Sequence, residues 1–186
     1  PGSRKEEIEK LFPLMVQAAV KLKEDNENYV FVVPSASPKF NEYIEEVLVQ
    51  YPIQAKIVNN HVHQVLKMAH FAMVTSGTAT LEATILSTPM VIIYKTSNLT
   101  YKIAKMLYKK NFFGMPNILA GKEVVPEIVQ DEVTVDNIYE EAHYILSKPY
   151  LMTDIKIKLV SAAEKLGAKG AIEKTAKLVL EEGNID

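Results

Sequence analysis

The sequence predicts an α/β fold, a doubly wound parallel sheet followed by a helical tail. Three observations carry that expectation. Short apolar runs alternate with amphipathic helical runs from Ser3 to about Tyr108. Those short runs are not strictly alternating, as expected of strands with helices on both faces of their sheet. From Val133 onward only helical periodicity remains. A β-α alternation of this kind produces right-handed βαβ units.

The elements follow in order. Ser3, with Glu6 three residues later, forms a capping-box pattern, and Ile8, Leu11, Phe12, Met15, Ala18, Ala19 and Leu22 recur at helical spacing behind it. The polar run Glu24 to Asn28 should end this helix. Tyr29 to Val33 is β-rich and is expected to stop at Pro34. Residues 38–50 form an amphipathic helix closed by Tyr51-Pro52. Ala55 to Val58 reads as a strand, Val62 to Ala69 as a helix and Phe71 to Val74 as a strand. The turn Thr75-Ser76-Gly77-Thr78 leads into a helix over Ala79 to Leu86. Pro89 to Tyr94 is a further strand and Thr100 to Tyr108 a further helix. Three helices close the chain at roughly 134–147, 149–166 and 168–182. Pro1-Gly2-Ser3-Arg4 is turn chemistry leading straight into a helix, so a strand is expected to precede it and the sequence reads as a fragment.

Composition narrows the function classes. The chain has 186 residues, 48% hydrophobic and 24% charged, which suits one domain with a sizeable core. A formal net charge of -2 gives no global attraction for nucleic acid. The absence of cysteine removes disulfides, thiol nucleophiles and cysteine-ligated metals. No apolar run reaches the roughly 18–20 residues that span a bilayer. No dinucleotide fingerprint, Walker motif or Ser-His-Asp arrangement is present.

In open α/β sheets, ligands bind where strands turn into helices at the carboxyl edge. Two such turns carry suggestive residues. Gly2-Ser3-Arg4 opens a helix whose unpaired N–H groups and dipole suit a phosphate, with the Arg4 fork able to grip it. The same residues also read as a plain N-cap beside a solvated arginine. Ser76-Gly77-Thr78 could supply backbone and hydroxyl donors to a phosphate, and Glu82, a helical turn beyond, could accept from both hydroxyls of a ribose. Equally, Ser76 or Thr78 could cap the helix while Glu82 complements its dipole. His61 and His63 lack acidic partners at ligand spacing, so no metal site is expected, and they read as exposed loop histidines. Met68, Met73, Met90, Met106 and Met115 read as core filler. Tyr101, Lys102, Lys105, Tyr108, Lys109, Lys110, Phe112 and Phe113 make a basic-aromatic stretch, suited to anionic headgroups or simply to a solvated helix face.

Three segments together resemble the C-terminal half of lipid-A-disaccharide synthases. They are Pro1-Gly2-Ser3-Arg4 with Glu7-Ile8, Ser76-Gly77-Thr78-Ala79-Thr80-Leu81-Glu82-Ala83, and Met115-Pro116-Asn117-Ile118-Leu119-Ala120-Gly121-Lys122-Glu123. Pro89-Met90-Val91, Tyr94-Lys95 and Val125-Pro126-Glu127 with Gln130 extend the likeness over essentially the whole chain. The Pro-Asn-Ile-Leu-Ala-Gly segment is the most specific part, since no local folding rule requires it.

The resemblance implies a Rossmann-like C-terminal domain of a two-domain, metal-independent GT-B glycosyltransferase that needs no cofactor. It implies a UDP-sugar-binding domain over 1–166 and a helix over 167–186 that crosses back toward an N-terminal domain. The implied reaction joins UDP-2,3-diacylglucosamine to 2,3-diacylglucosamine 1-phosphate with inversion and release of UDP. Carried over by motif, Gly2, Ser3 and Arg4 serve the diphosphate and Ser76, Gly77 and Thr78 its oxygens. Glu82 serves the ribose, Asn117 lies near the reacting sugar or its phosphates, and Arg4 and Asn117 are the catalytic residues the resemblance implies. The base is expected in the other half of the enzyme. The implied partners are the donor, the lipid acceptor, the N-terminal domain, a second copy of the chain, and the cytoplasmic face of the inner membrane, where the enzyme would sit peripherally. The alternatives are another UDP-sugar enzyme, of the UDP-N-acetylglucosamine epimerase or peptidoglycan glycosyltransferase type, and a non-catalytic nucleotide-binding module.

Overall fold

A computed structural model describes residues 1–96, 101 and 112–167. The order is α1 (Lys5–Asp25), β1 (Phe31–Ser35), a 3₁₀ turn at Pro38–Phe40, α2 (Asn41–Leu48), β2 (Ala55–Asn59), α3 (Val62–Met68), β3 (Ala72–Thr75), α4 (Thr78–Ile85) and β4 (Met90–Tyr94). Then come α5 (Met115–Ala120), β5 (Glu127–Val129), a second 3₁₀ turn at Gln130–Glu132, α6 (Val135–Leu146) and α7 (Pro149–Glu164). The expected helices at 100–108 and 168–182, and the helix proposed to cross to another domain, lie outside the described residues, Tyr101 and Gly167 apart.

The strands form two parallel ladders, β1-β2 and β3-β4-β5. The α/β class with parallel sheets therefore holds. Among the described residues no strand pairs β1 to β3, and α1 spans the two ladders. Its Ile8, Phe12 and Val16 pack with Val33, Phe40 and Ile44. Its Leu11, Met15 and Ala18 pack with Val91, Ile93, Ile128 and Ile138. A helix interior normally excludes proline, yet Pro13 sits inside α1 and leaves the Glu9 carbonyl without its helical donor. The Tyr43 hydroxyl on α2 donates to that carbonyl at 3.4 Å.

β4 shows why the strands read as apolar on both faces. Met90 and Ile92 enter one core cluster with Val74, Ala83, Val125 and Leu159, while Val91 and Ile93 enter the cluster beneath α1. All four are 0% exposed. Burying each such side chain contributes about 1.5–3 kcal/mol relative to leaving it in water.

Several boundaries differ from expectation. β1 runs through Pro34, whose register partner is Val58. It pairs on one side only among the described residues, and an edge strand tolerates a residue without an N–H. The helix expected over 38–50 is a 3₁₀ turn followed by α2. The N-cap of α1 is Arg4, with extended φ -112 and ψ 141, so Ser3 lies one position too early and makes no capping box. Glu6 faces Lys10 instead, at 3.9 Å. β5 and α5 were not anticipated, being only three and six residues long. Of the methionines expected in the core, Met90 is buried, whereas Met68 is 86% exposed.

Candidate functional site

The two turns singled out in the sequence lie together at the carboxyl end of β3. A Cβ built on Gly2 would stand 3.6 Å from Thr75 Cγ2, so the first turn packs against the residue that opens the second. Gly2 has φ +115, and its Cβ would also press on Glu7 at 3.1–3.2 Å, so glycine is required there. Thr75 Oγ1, at this junction, is buried with no hydrogen-bond partner among the described residues.

Both turns end in helix N-termini that no side chain caps. The Arg4 carbonyl accepts from the N–H groups of Glu7 and Ile8, so those of Lys5 and Glu6 have no intrahelical acceptor. The Arg4 side chain is 82% exposed and meets Glu7 at 3.2 Å. An ion pair this exposed is worth little and leaves the guanidinium free to move.

The second turn is built more firmly. Gly77 caps α4 with φ 156 and ψ -159, a region open essentially to glycine alone. Neither Ser76 nor Thr78 caps the helix, which removes the simplest structural explanation for their hydroxyls. Ser76 Oγ donates to the Phe113 carbonyl at 3.0 Å, and the Ser76 N–H donates to the Ile93 carbonyl. Thr80 Oγ1 donates to the Gly77 carbonyl at 2.7 Å and accepts from the Met115 N–H at 3.3 Å. A hydroxyl has one proton, so Ser76 as placed has none left for a phosphate. The donors this turn offers an anion are the first N–H groups of α4, at Thr78 and Ala79, and the hydroxyl of exposed Thr78. In front of them lies an open cleft of about 250 Å³, lined by Ser76, Gly77, Thr78, Leu81, Phe113 and Met115.

The wall opposite the turn hangs on two polar residues. Glu127, on β5, accepts from the consecutive N–H groups of Phe113 (2.7 Å) and Gly114 (3.0 Å). It also accepts from Asn117 Nδ2 at 2.7 Å. Asn117 is 0% exposed. Its second amide proton goes to the Val125 carbonyl, and its oxygen accepts from the N–H groups of Val124 and Val125. That exhausts the hydrogen-bonding capacity of an asparagine side chain. As placed, Asn117 braces the loop that carries the cleft wall. Gly114 is packed so closely that a Cβ would meet Ile92 Cδ1 at 2.2 Å. The Phe113 ring stacks on Tyr94 at 5.2 Å and on Tyr101 at 5.7 Å. Gln130 grips the other end of this segment, accepting from the Thr96 N–H and donating to its carbonyl.

Glu82 lies on α4 but not among the residues lining the cleft. Its carboxylate faces His63 Nε2 at 3.4 Å, and both are partly exposed. His63 belongs to α3 rather than to a loop. Sequence reasoning missed this pair because α3 and α4 belong to different βα units. Glu127 carried a signal that was not used, a lone acid within the apolar run Val124 to Val129. A second hollow, bounded by Glu132, Asn137, Glu140 and Glu141, lies beyond β5. Burial first, then the neighbouring Glu123 and Glu140, push the Glu141 carboxyl above its ordinary range.

A family model described as lipid-A-disaccharide synthetase matches residues 1–179. The chain is similar to lipid-A-disaccharide synthase of Geobacter sulfurreducens, at 37% identity over 97% of this chain and 47% of the relative. The Sulfurihydrogenibium enzyme of the same name is 36% identical over 96% of the chain and 48% of the relative. That of Azotobacter vinelandii is 39% identical over 75% and 38% respectively. The chain thus spans about half the length of these curated relatives.

Proposed function

The chain belongs to the lipid-A-disaccharide synthetase family, and on that premise we propose that it is the donor-nucleotide half of a UDP-dependent glycosyltransferase of lipid A synthesis. The single observation that carries the reading is the pairing of two uncapped helix N-termini beside an open cleft. Unpaired N–H groups and aligned dipoles favour a dianion there, and Arg4 adds a mobile positive charge. The orphan hydroxyl of Thr75 at their junction supplies a further polar contact. Gly2 and Ser3 shape the first turn, Gly77 and Thr78 the second, and Glu82 receives the ribose hydroxyls.

In the proposed reaction the bond between the anomeric carbon of the donor sugar and the UDP phosphate oxygen breaks. The acceptor hydroxyl of 2,3-diacylglucosamine 1-phosphate attacks that carbon from the opposite face, and its proton passes to a base in the other half of the enzyme. This chain's part is to hold the departing UDP and stabilise the charge that grows on it, through fixed donors that need no reorganisation. A cleft of about 250 Å³ falls below the roughly 300–1,000 Å³ of ligand pockets, which suits a site closed by a second domain. Among the described residues no helix is long and apolar enough to cross a membrane. Peripheral attachment at the cytoplasmic face of the inner membrane, and assembly with a second copy, belong to the same proposal.

Calorimetric titration of the chain with UDP, UMP and 2′,3′-dideoxy-UDP tests the reading. UDP should bind at least tenfold more tightly than UMP, because the diphosphate is the group the two N-termini meet. Dideoxy-UDP should be weaker than UDP by about 1–3 kcal/mol in wild type, with that difference shrinking in Glu82→Gln. Equal affinity for UMP and UDP would remove the diphosphate from this turn.

A further inference from the structure

We propose that Glu127 is a positioning residue of the nucleotide cleft, acting through the Phe113 backbone on Ser76. The inference rests on the donor-nucleotide reading and deepens it. Glu127 does not line the cleft. It lies behind the wall, and its carboxylate accepts two consecutive backbone N–H groups, at 2.7 and 3.0 Å. A carboxylate bridging successive N–H groups fixes the peptide plane between them, here that of Phe113 and Gly114. The carbonyl of that plane is the acceptor for Ser76 Oγ. Fixing the plane therefore fixes the hydroxyl that begins the α4 turn. Asn117 sets the carboxylate in turn, donating to Glu127 Oε1 while its other atoms are tied to Val124 and Val125.

The chemistry of the group suits this task. Ionised, Glu127 is an acceptor only, matching the three donors that reach it among the described residues. A glutamine in its place would turn an N–H₂ group toward at least one of those donors. Hydrogen bonds to an ionised acceptor are about twice as strong as neutral ones, so the wall is stiffer than its loop character suggests. Ile92 packs closely against Gly114, where a Cβ would meet its Cδ1 at 2.2 Å, and so limits movement of the peptide on that side. Preorganising the wall in the free protein removes an ordering cost that binding would otherwise bear.

A double-mutant cycle on UDP affinity tests the proposal, because a merely structural residue would not couple to Ser76. Glu127→Gln should weaken UDP binding about tenfold. In a Ser76→Ala background the same change should weaken it less than threefold, since the route through the Ser76 hydroxyl is already cut. Equal losses in the two backgrounds overturn the proposal and leave the nucleotide reading intact. Failure of the wild-type chain to bind UDP overturns both. Amide shifts supply an independent readout: the Phe113 and Gly114 N–H resonances should move upfield together in Glu127→Gln and stay in place in Glu141→Gln. Should Glu127→Gln not fold, Glu127→Asp serves, keeping the charge but shortening the reach by one methylene. It should lose at least threefold in UDP affinity, and full retention counts against the bridge.

Discussion

The turn at Gly2–Arg4 and the turn at Ser76–Thr78 lie side by side, yet they are held in opposite ways. The first relies on one glycine with φ +115 and presents a charged side chain that is 82% exposed and, among the described residues, tied only to Glu7. The second is backed by hydrogen bonds that run from Ser76 and Thr80 through Phe113 and Met115 to Glu127 and buried Asn117. Each turn suits a different kind of work. Charge can be delivered to a ligand by a mobile side chain with no stake in the fold. The shape of a cleft needs a buried polar network, which does have a stake. Removing parts of the second turn should therefore destabilise the protein, while removing the Arg4 side chain from the first should weaken binding alone.

The largest expected effect is Asn117→Ala. It leaves the buried Val124 and Val125 N–H groups and the Val125 carbonyl without their Asn117 partner. At roughly 1–3 kcal/mol for each buried group left unsatisfied, a loss of about 3–5 kcal/mol is expected in urea unfolding. A loss below about 1 kcal/mol would show that water enters the loop and that the network is not the wall's support. Gly114→Ala comes next. Its methyl would overlap Ile92 Cδ1, within a side chain that is 0% exposed. Overpacking of this kind costs about 1–3 kcal/mol, and thermal melts at matched pH would measure it. The smallest effect on stability belongs to Arg4→Ala, expected to change unfolding free energy by less than about 0.5 kcal/mol. The same variant should bind UDP about tenfold or more weakly, since a charge-assisted contact is worth about 1.5–3 kcal/mol. A destabilised Arg4→Ala with normal UDP affinity would reverse the contrast between the turns.

Much of the architecture was legible because it rests on patterns that local sequence carries. The unbroken apolar run of β4 and the 3.6-residue spacing in α1, α6 and α7 placed those elements within a residue or two. β5 was not legible, since three residues cannot display a period and its burial comes from β4 and α1. The candidate site divides the same way. The turn residues announced themselves through glycine and hydroxyl side chains at a strand-to-helix junction. What those side chains bond to did not. Ser76 and Phe113 are 37 residues apart in sequence, and nothing local indicates that Ser76's proton is spent on that carbonyl. The bonds of Asn117 to Val124, Val125 and Glu127 were not legible either, because a motif reports a residue type and not which way it faces. The Arg4 N-cap displaced the Ser3 capping box for a similar reason: the extended backbone at Arg4 begins the helix one residue later than the side-chain pattern suggests.

The most direct test of the account is a titration of ¹⁵N-labelled chain with UDP, followed by backbone amide shifts. The Thr78 and Ala79 N–H groups, uncapped at the start of α4, should show the largest changes and saturate together, with Lys5 and Glu6 at the start of α1 following at the same midpoint. Shifts confined to the acidic hollow around Glu132 and Glu140, or none at saturating UDP, would contradict the assignment of the diphosphate to these two helix ends.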